Sequence, residues 1–129
     1  LNENITEINS AKLYFYGCSF TETGVDATGV DVNAYSVDDD NWTETGANGI
    51  TWNSKPNTNS YLGTAYVDNT TNWRDIDVTS YVQSQYEGDK TITLSLLQDG
   101  TGLYSEFKSR ENVNKPYLAI TAVNTSPTE

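Results

Sequence analysis

Residues 10–20 read SAKLYFYGCSF, and this stretch decides the fold. Ala11, Leu13 and Phe15 alternate with Lys12, Tyr14 and Tyr16. An extended chain sends successive side chains to opposite faces, so a period of two with an aliphatic and aromatic inner row predicts a strand. Working outward, GVDVNAYSV (29–37) alternates in the same way, with Val30, Val32 and Ala34 on one face and Tyr35 and Val37 on the other. YLGTAYV (61–67) and WRDIDV (73–78) read as short strands separated by the turn DNTTN. KTITLSLLQ (90–98) is the clearest strand, with Ile92, Leu94 and Leu96 inward. YSEFKSR (104–110) and YLAITAV (117–123) complete the set, with Leu118 and Ile120 buried.

The connections carry their own signals. TETGVDATG (21–29) reads as a loop or wide hairpin. TSYVQSQYEG (79–88) is the one helical segment: Thr79 or Asp77 can cap it, Tyr81, Val82 and Tyr86 form a partial face, and Gly88 can end it. Seven or eight short strands at turn-separated spacing predict an all-β, antiparallel, jelly-roll-like β-sandwich with one short helix near 79–87. A chain of 129 residues suits a single domain. That domain is expected over 1–123, with 124–129 starting a linker.

The formal net charge is −11, from 18 acidic against 7 basic residues. Such a surface repels phosphate backbones and anionic membranes, so neither nucleic acid nor a lipid surface is an expected partner. There is no histidine and one cysteine. The usual general base, the usual imidazole metal ligand and every Ser-His or Cys-His nucleophile system are therefore missing. Cys18 lies in an apolar strand and is expected to be a buried, inert thiol. No apolar run reaches the roughly 18 residues that span a bilayer. A chain that begins at Leu1 and contains no Met is expected to be a piece of a longer precursor. Four N-x-[ST] sequons, at Asn4, Asn41, Asn69 and Asn124, fit an exported protein and are possible N-glycosylation sites.

Residues 38–60 form a long irregular segment holding WTETGANGITWNSKP (42–56). A loop that long needs a function or a stiffening device. Two readings compete for Trp42, Glu44, Trp52 and Pro56. Exposed rings would stack on sugar faces. Alternatively the rings fold over the end of the sandwich while Glu44 accepts backbone amides. The corner reading is favoured, with Trp42 retained as a ligand candidate. Asp38, Asp39 and Asp40, close to Glu44, could offer several oxygens to calcium, although a solvated turn is the simpler reading.

Taken in order, NSAKLYFY, W-T-E-x5-I-T-W-N-x2-P, WRDIDVTSYV, TITLSL and FKSRE-x4-PYLAI resemble the DNRLRE-type repeat, also called the disaggregatase-related domain. The chain is similar to what is classed as carbohydrate-binding module family 96. The resemblance implies a β-sandwich carried, often in tandem, by secreted and cell-surface proteins of bacteria and archaea. Its partners there are polysaccharide, alginate being the case that names the module family, and other domains of the same modular protein or neighbouring subunits. It assigns structural roles to Trp52, Pro56, Asp77, Ser109, Glu111 and Pro116. Repeats of this type usually carry a stranded segment ahead of the SAKL strand. A missing strand would leave an unpaired edge beside residues 11–20; either the piece is excised from a modular surface protein, the favoured reading, or a neighbouring chain fills the edge in a filament.

No catalytic residues are expected. Glu106, Arg110 and Glu111 read as an ion-paired rim rather than the carboxylate pair of a glycosidase. The ligand-binding candidates are Tyr14, Tyr16, Tyr35, Trp42 and Tyr104, with Tyr61 a further exposed aromatic. Tyr14 and Tyr16 project together from one sheet face and are the first choice. The expectation is a non-catalytic extracellular or cell-surface module that binds polysaccharide, with calcium as a possible cofactor. The alternative is an adhesive or filament subunit.

Overall fold

Two antiparallel sheets, one of four strands and one of three, face each other in the computed structural model, which describes residues 1, 4–21, 29–100 and 102–124. The elements are β1 (Ile5–Thr21), β2 (Val30–Ser36), β3 (Tyr61–Val67), β4 (Asn72–Asp77), α1 (Thr79–Glu87), β5 (Leu94–Gln98), β6 (Leu103–Phe107) and β7 (Tyr117–Asn124). This is the all-β sandwich with one short helix that the alternation predicts. Residues 22–28 and 125–129, which hold most of the expected hairpin loop and linker, lie outside the described residues.

The spine of the first sheet is β1. On one edge it pairs with β4, from Lys12↔Asp77 to Gly17↔Asn72. On the other it pairs with β7 over residues 5–14 and then with β6 over residues 17–21. Because both pairings are antiparallel and follow one another along β1, β6 and β7 are two halves of one interrupted strand. The Lys108 N–H still donates to the Tyr16 carbonyl, at 2.9 Å, and Tyr117 rejoins opposite Tyr14. Residues 109–116 are thus an excursion thrown out of the ladder. The second sheet runs β3-β2-β5.

The core lies between the sheets. Phe15, Val32, Val67 and Val82 are fully buried, with Ala11, Ala34, Ile76 and Val78 packed around them. Phe15 meets Phe107 edge-on at 4.9 Å. Gly17 makes that contact possible. A Cβ there would stand 1.9 Å from the Glu106 carbonyl oxygen and 2.6 Å from the Phe107 ring.

The helix covers the part of β1 that β4 does not reach. Thr79 Oγ1 accepts the Ala11 N–H at 3.0 Å, and Gln83 Nε2 donates to the Ile8 carbonyl at 2.8 Å. The Tyr86 hydroxyl donates to the Ile5 carbonyl. Positions 79, 83 and 86 form one stripe of a helix, and that stripe satisfies one strand edge. Near the far end, the Ser19 N–H donates to the Asp68 carbonyl. The vacancy expected beside β1 is therefore filled from within the chain, which corrects the strand-donation reading.

Gly88 ends the helix as the sequence predicts, its N–H donating to the Gln85 carbonyl, with φ −102°; the left-handed residue that follows is Lys90, at φ 61°. Two further expectations need correction. The residue at the helix start is Val78, while the Asp77 carboxylate accepts both the N–H and the hydroxyl of Thr79. Val37 is buried rather than outward, because the chain turns inward after β2 and its N–H donates to the Thr93 carbonyl.

Candidate functional site

The outer face of the four-stranded sheet follows directly from the pairing register. Facing away from buried Ala11, Phe15 and Ser19 are Lys12, Tyr14, Tyr16, Cys18 and Phe20. Their cross-strand partners are Asp77, Asp75 and Trp73 on β4, Tyr117 on β7, and Glu106 and Tyr104 on β6. Tyr14 stacks on Tyr117 with centroids 4.9 Å apart and planes 8° from parallel. Tyr16 meets Trp73 at 5.1 Å, and Trp73 meets Tyr117 at 5.4 Å. Further along the strand, Phe20 stacks on Tyr104 at 5.6 Å. Six aromatic rings thus occupy one sheet face. From Tyr14 to Phe20 the row extends about 20 Å at roughly 3.3 Å per residue.

Cross-strand aromatic pairs stabilise a sheet by themselves. Packing alone would favour covering them, yet Trp73 is 37% exposed, Tyr117 48% and Tyr104 44%. An apolar area left open and bordered by charge marks an interaction surface. Here the border is Lys12 with Asp75 and Asp77 on one side, and the Glu106–Lys108 pair, 3.5 Å apart, on the other. Cys18 stands half-buried in this outer row, not in the core, because it shares the parity of Tyr16 and Phe20.

The 109–116 excursion rises from the same sheet. Ser109 Oγ donates to Glu111 at 2.6 Å, and Arg110 bridges Glu111 at 3.3 Å and Glu44 at 3.1 Å. The hydroxyl of Ser109 is the main cause that holds the Glu111 carboxyl below its ordinary range, helped by backbone N–H and Arg110. Asn112 N–H donates back to the Ser109 carbonyl, so the turn is tied locally. Pro116 precedes β7, as a residue without an N–H can where a strand begins. The Glu44–Arg110 pair joins the two motif blocks, W-T-E and S-R-E, across 66 residues of sequence. Glu44 thus has a guanidinium partner instead of the backbone amides expected. Each of Glu106, Glu111 and Glu44 faces a cation, an arrangement of paired rims.

The long loop is closed at its neck, where the Ser36 N–H donates to the Ser60 carbonyl and the Asn59 N–H to the Ser36 carbonyl. Beyond the neck, Trp52 is 74% exposed with the Lys55 ammonium 3.8 Å from its ring centroid, so it is not folded over the sandwich. Pro56 and Trp42 line a cleft beside it. The acidic run disperses. Asp39 caps its own turn by accepting the Asn41 N–H, Asp40 accepts the Thr93 hydroxyl at 2.6 Å, and the Asp38 N–H donates to Asn59. Among the described residues no group of three or more acidic or thiol side chains is placed to hold a metal ion. The proposed calcium set of Asp38, Asp39, Asp40 and Glu44 therefore does not assemble among the described residues: the Asp39 carboxylate bonds Asn41, that of Asp40 bonds Thr93, and that of Glu44 pairs with Arg110.

Of the ligand candidates, Tyr14, Tyr16 and Tyr104 share the aromatic face. Tyr35 lies on the outer face of the other sheet, 5.9 Å from Tyr61, and Trp42 lies at the loop cleft. The sequence reading missed Trp73, Tyr117 and Phe20. Their signal was parity: Trp73 alternates with Asp75 and Asp77 opposite buried Ile76, Tyr117 precedes inward Leu118, and Phe20 extends the row of Tyr14 and Tyr16. The four sequon asparagines, Asn4, Asn41, Asn69 and Asn124, are all exposed.

The sequence model of carbohydrate-binding module family 96 matches residues 2–122, and the chain belongs to that family. No curated protein matches it. Modules of this class bind carbohydrate and are generally non-catalytic. No helix among the described residues is long and apolar enough to cross a membrane.

Proposed function

We propose that this domain is a non-catalytic module of a modular secreted or cell-surface protein, and that it holds neutral polysaccharide across the outer face of the four-stranded sheet. One observation carries the reading: Tyr14, Tyr16, Trp73 and Tyr117 form a contiguous, partly exposed ring cluster on a rigid sheet. Pyranose faces are apolar and flat, and aromatic rings offer them a large surface at little entropic cost. Lys12, Asp75 and Lys108 stand where hydroxyl groups at the rim need donors and acceptors. A net charge of −11 opposes acidic glycans, and no calcium-binding carboxylate cluster is at hand among the described residues to bridge them. Neutral chains are thus favoured over alginate.

Affinity electrophoresis in gels containing xylan, mannan, mixed-linkage glucan or alginate tests this. Retardation by at least one neutral polysaccharide, weakened at least about tenfold in Trp73→Ala, is expected. Retardation by alginate alone, or equal retardation of the variant, would overturn it. Incubation with the same polymers should release neither new reducing ends nor unsaturated products.

A further inference from the structure

We propose a second carbohydrate site on the opposite sheet, in the cleft where the long loop meets β5. It rests on the polysaccharide reading above and adds a site of different shape. The cleft encloses about 490 Å3, lined by Trp42, Ile50, Trp52, Lys55, Ser95 and Leu97 among others. That size falls in the range of about 300–1,000 Å3 typical of small-ligand sites.

Ser95 and Leu97 are paired with Tyr35 and Asn33, which face away from buried Val32 and Ala34. The cleft therefore opens on the outer side of the three-stranded sheet, whereas the Tyr14 row covers the outer side of the other sheet. Trp52 is 74% exposed, and Lys55 occupies one side of its ring. Its large exposed area leaves ring surface for stacking. Ser95, Tyr35 and Tyr61 lie in register across β5, β2 and β3, and they continue the aromatic track out of the cleft. Polar groups accompany it: Tyr61 Oη bonds Thr64 Oγ1, which bonds Asn33. Rings interleaved with hydroxyls and amides, with the Lys55 ammonium held against Trp52 and Asp99 held by Asn33, suit a sugar better than an apolar peptide. A concave cleft bordered by Trp42 and Trp52 suits a short stretch of chain, while the flat face of the other sheet suits an extended run.

Titration calorimetry of the 129-residue domain with cellohexaose, xylohexaose and mannohexaose tests this. The bound hexasaccharide should show two equivalents per domain, falling to one in Trp52→Ala and to one in Trp73→Ala, and to none in the double variant. Trp52 is largely exposed, so its replacement should leave the melting temperature unchanged and a folding failure will not confuse the result. One equivalent in the native domain, unchanged by Trp52→Ala and lost in Trp73→Ala, would overturn the second site and leave the proposed function standing. One equivalent lost only in Trp52→Ala would overturn the sheet-face reading instead. Absence of binding to all three sugars would overturn both.

Discussion

Gly17 shows how much one residue can fix. It faces inward between Phe15 and Ser19, and its missing side chain is the space in which β6 approaches β1. Gly17→Ala must displace backbone, not a flexible side-chain tip, so we expect a loss of about 2–3 kcal/mol, the upper part of the range for overpacking, measured by urea denaturation. A neutral substitution would mean that β6 can move away freely. Asp77 works through its hydrogen bonds. The Thr79 hydroxyl and then the Thr79 N–H, with Lys12 nearby, hold its carboxyl below the ordinary 3.8. A carboxyl with a depressed folded pKa contributes fully above 3.8 and loses that contribution as pH falls through the folded value. The stability gap between native protein and Asp77→Asn should therefore narrow as pH drops below about 4. A gap that is constant from pH 7 to pH 2.5 would refute the assignment. The sequence placed Asp77 at the start of the helix, although Val78 takes the cap position. It did not reveal Gly17, because close approach of two strands is a long-range event.

Among the elements, α1 is the least self-sufficient. It buries only Tyr81 and Val82, carries no acidic residue in its first turn, and ends without a left-handed glycine. Its stability comes from docking. The row Thr79, Gln83 and Tyr86 satisfies backbone groups of β1, and Tyr81 Oη donates to the Thr93 carbonyl at 2.9 Å. Thr79→Val keeps the shape but leaves the Ala11 N–H unsatisfied, which costs about 1–3 kcal/mol. Hydrogen exchange at the Ala11 amide should accelerate accordingly, while exchange at Leu13, inside the ladder with β4 and β7, should follow only the global change. Equal effects at both amides would contradict this edge-covering role. Existence of the helix and of each strand was legible from periodicity. Which strands pair was not: the interrupted β6–β7 partner of β1 depends on an eight-residue excursion that reads as ordinary strand end and turn. The vacancy expected beside β1 arose from the same limit, since β4 and side chains 68 to 81 residues away together fill that edge.

At the scale of the whole molecule, alternation separates three surfaces: an apolar interior, a polar and acidic exterior, and an aromatic sheet face that fits neither. Half of that face was legible as Tyr14, Tyr16 and Tyr104. The rest required the register that brings Trp73 and Tyr117 from distant strands to their sides. The acidic run suggested a metal site only while its partners were unknown; Asn41 and Thr93 bond the Asp39 and Asp40 carboxylates separately. Neutral-ligand binding to this face should also vary little with salt, because ring stacking is not screened as ion pairing is. Raising sodium chloride from about 0.05 to 0.5 M should change the dissociation constant less than about twofold, and a tenfold loss would indicate an electrostatic ligand. The central claim is that the aromatic face of the four-stranded sheet is where polysaccharide lies. Amide chemical-shift mapping during titration with a binding neutral hexasaccharide tests it most directly. The account predicts saturable shifts at Tyr14, Tyr16, Trp73 and Tyr117, including the Trp73 indole; saturable binding that leaves these four signals in place would contradict it.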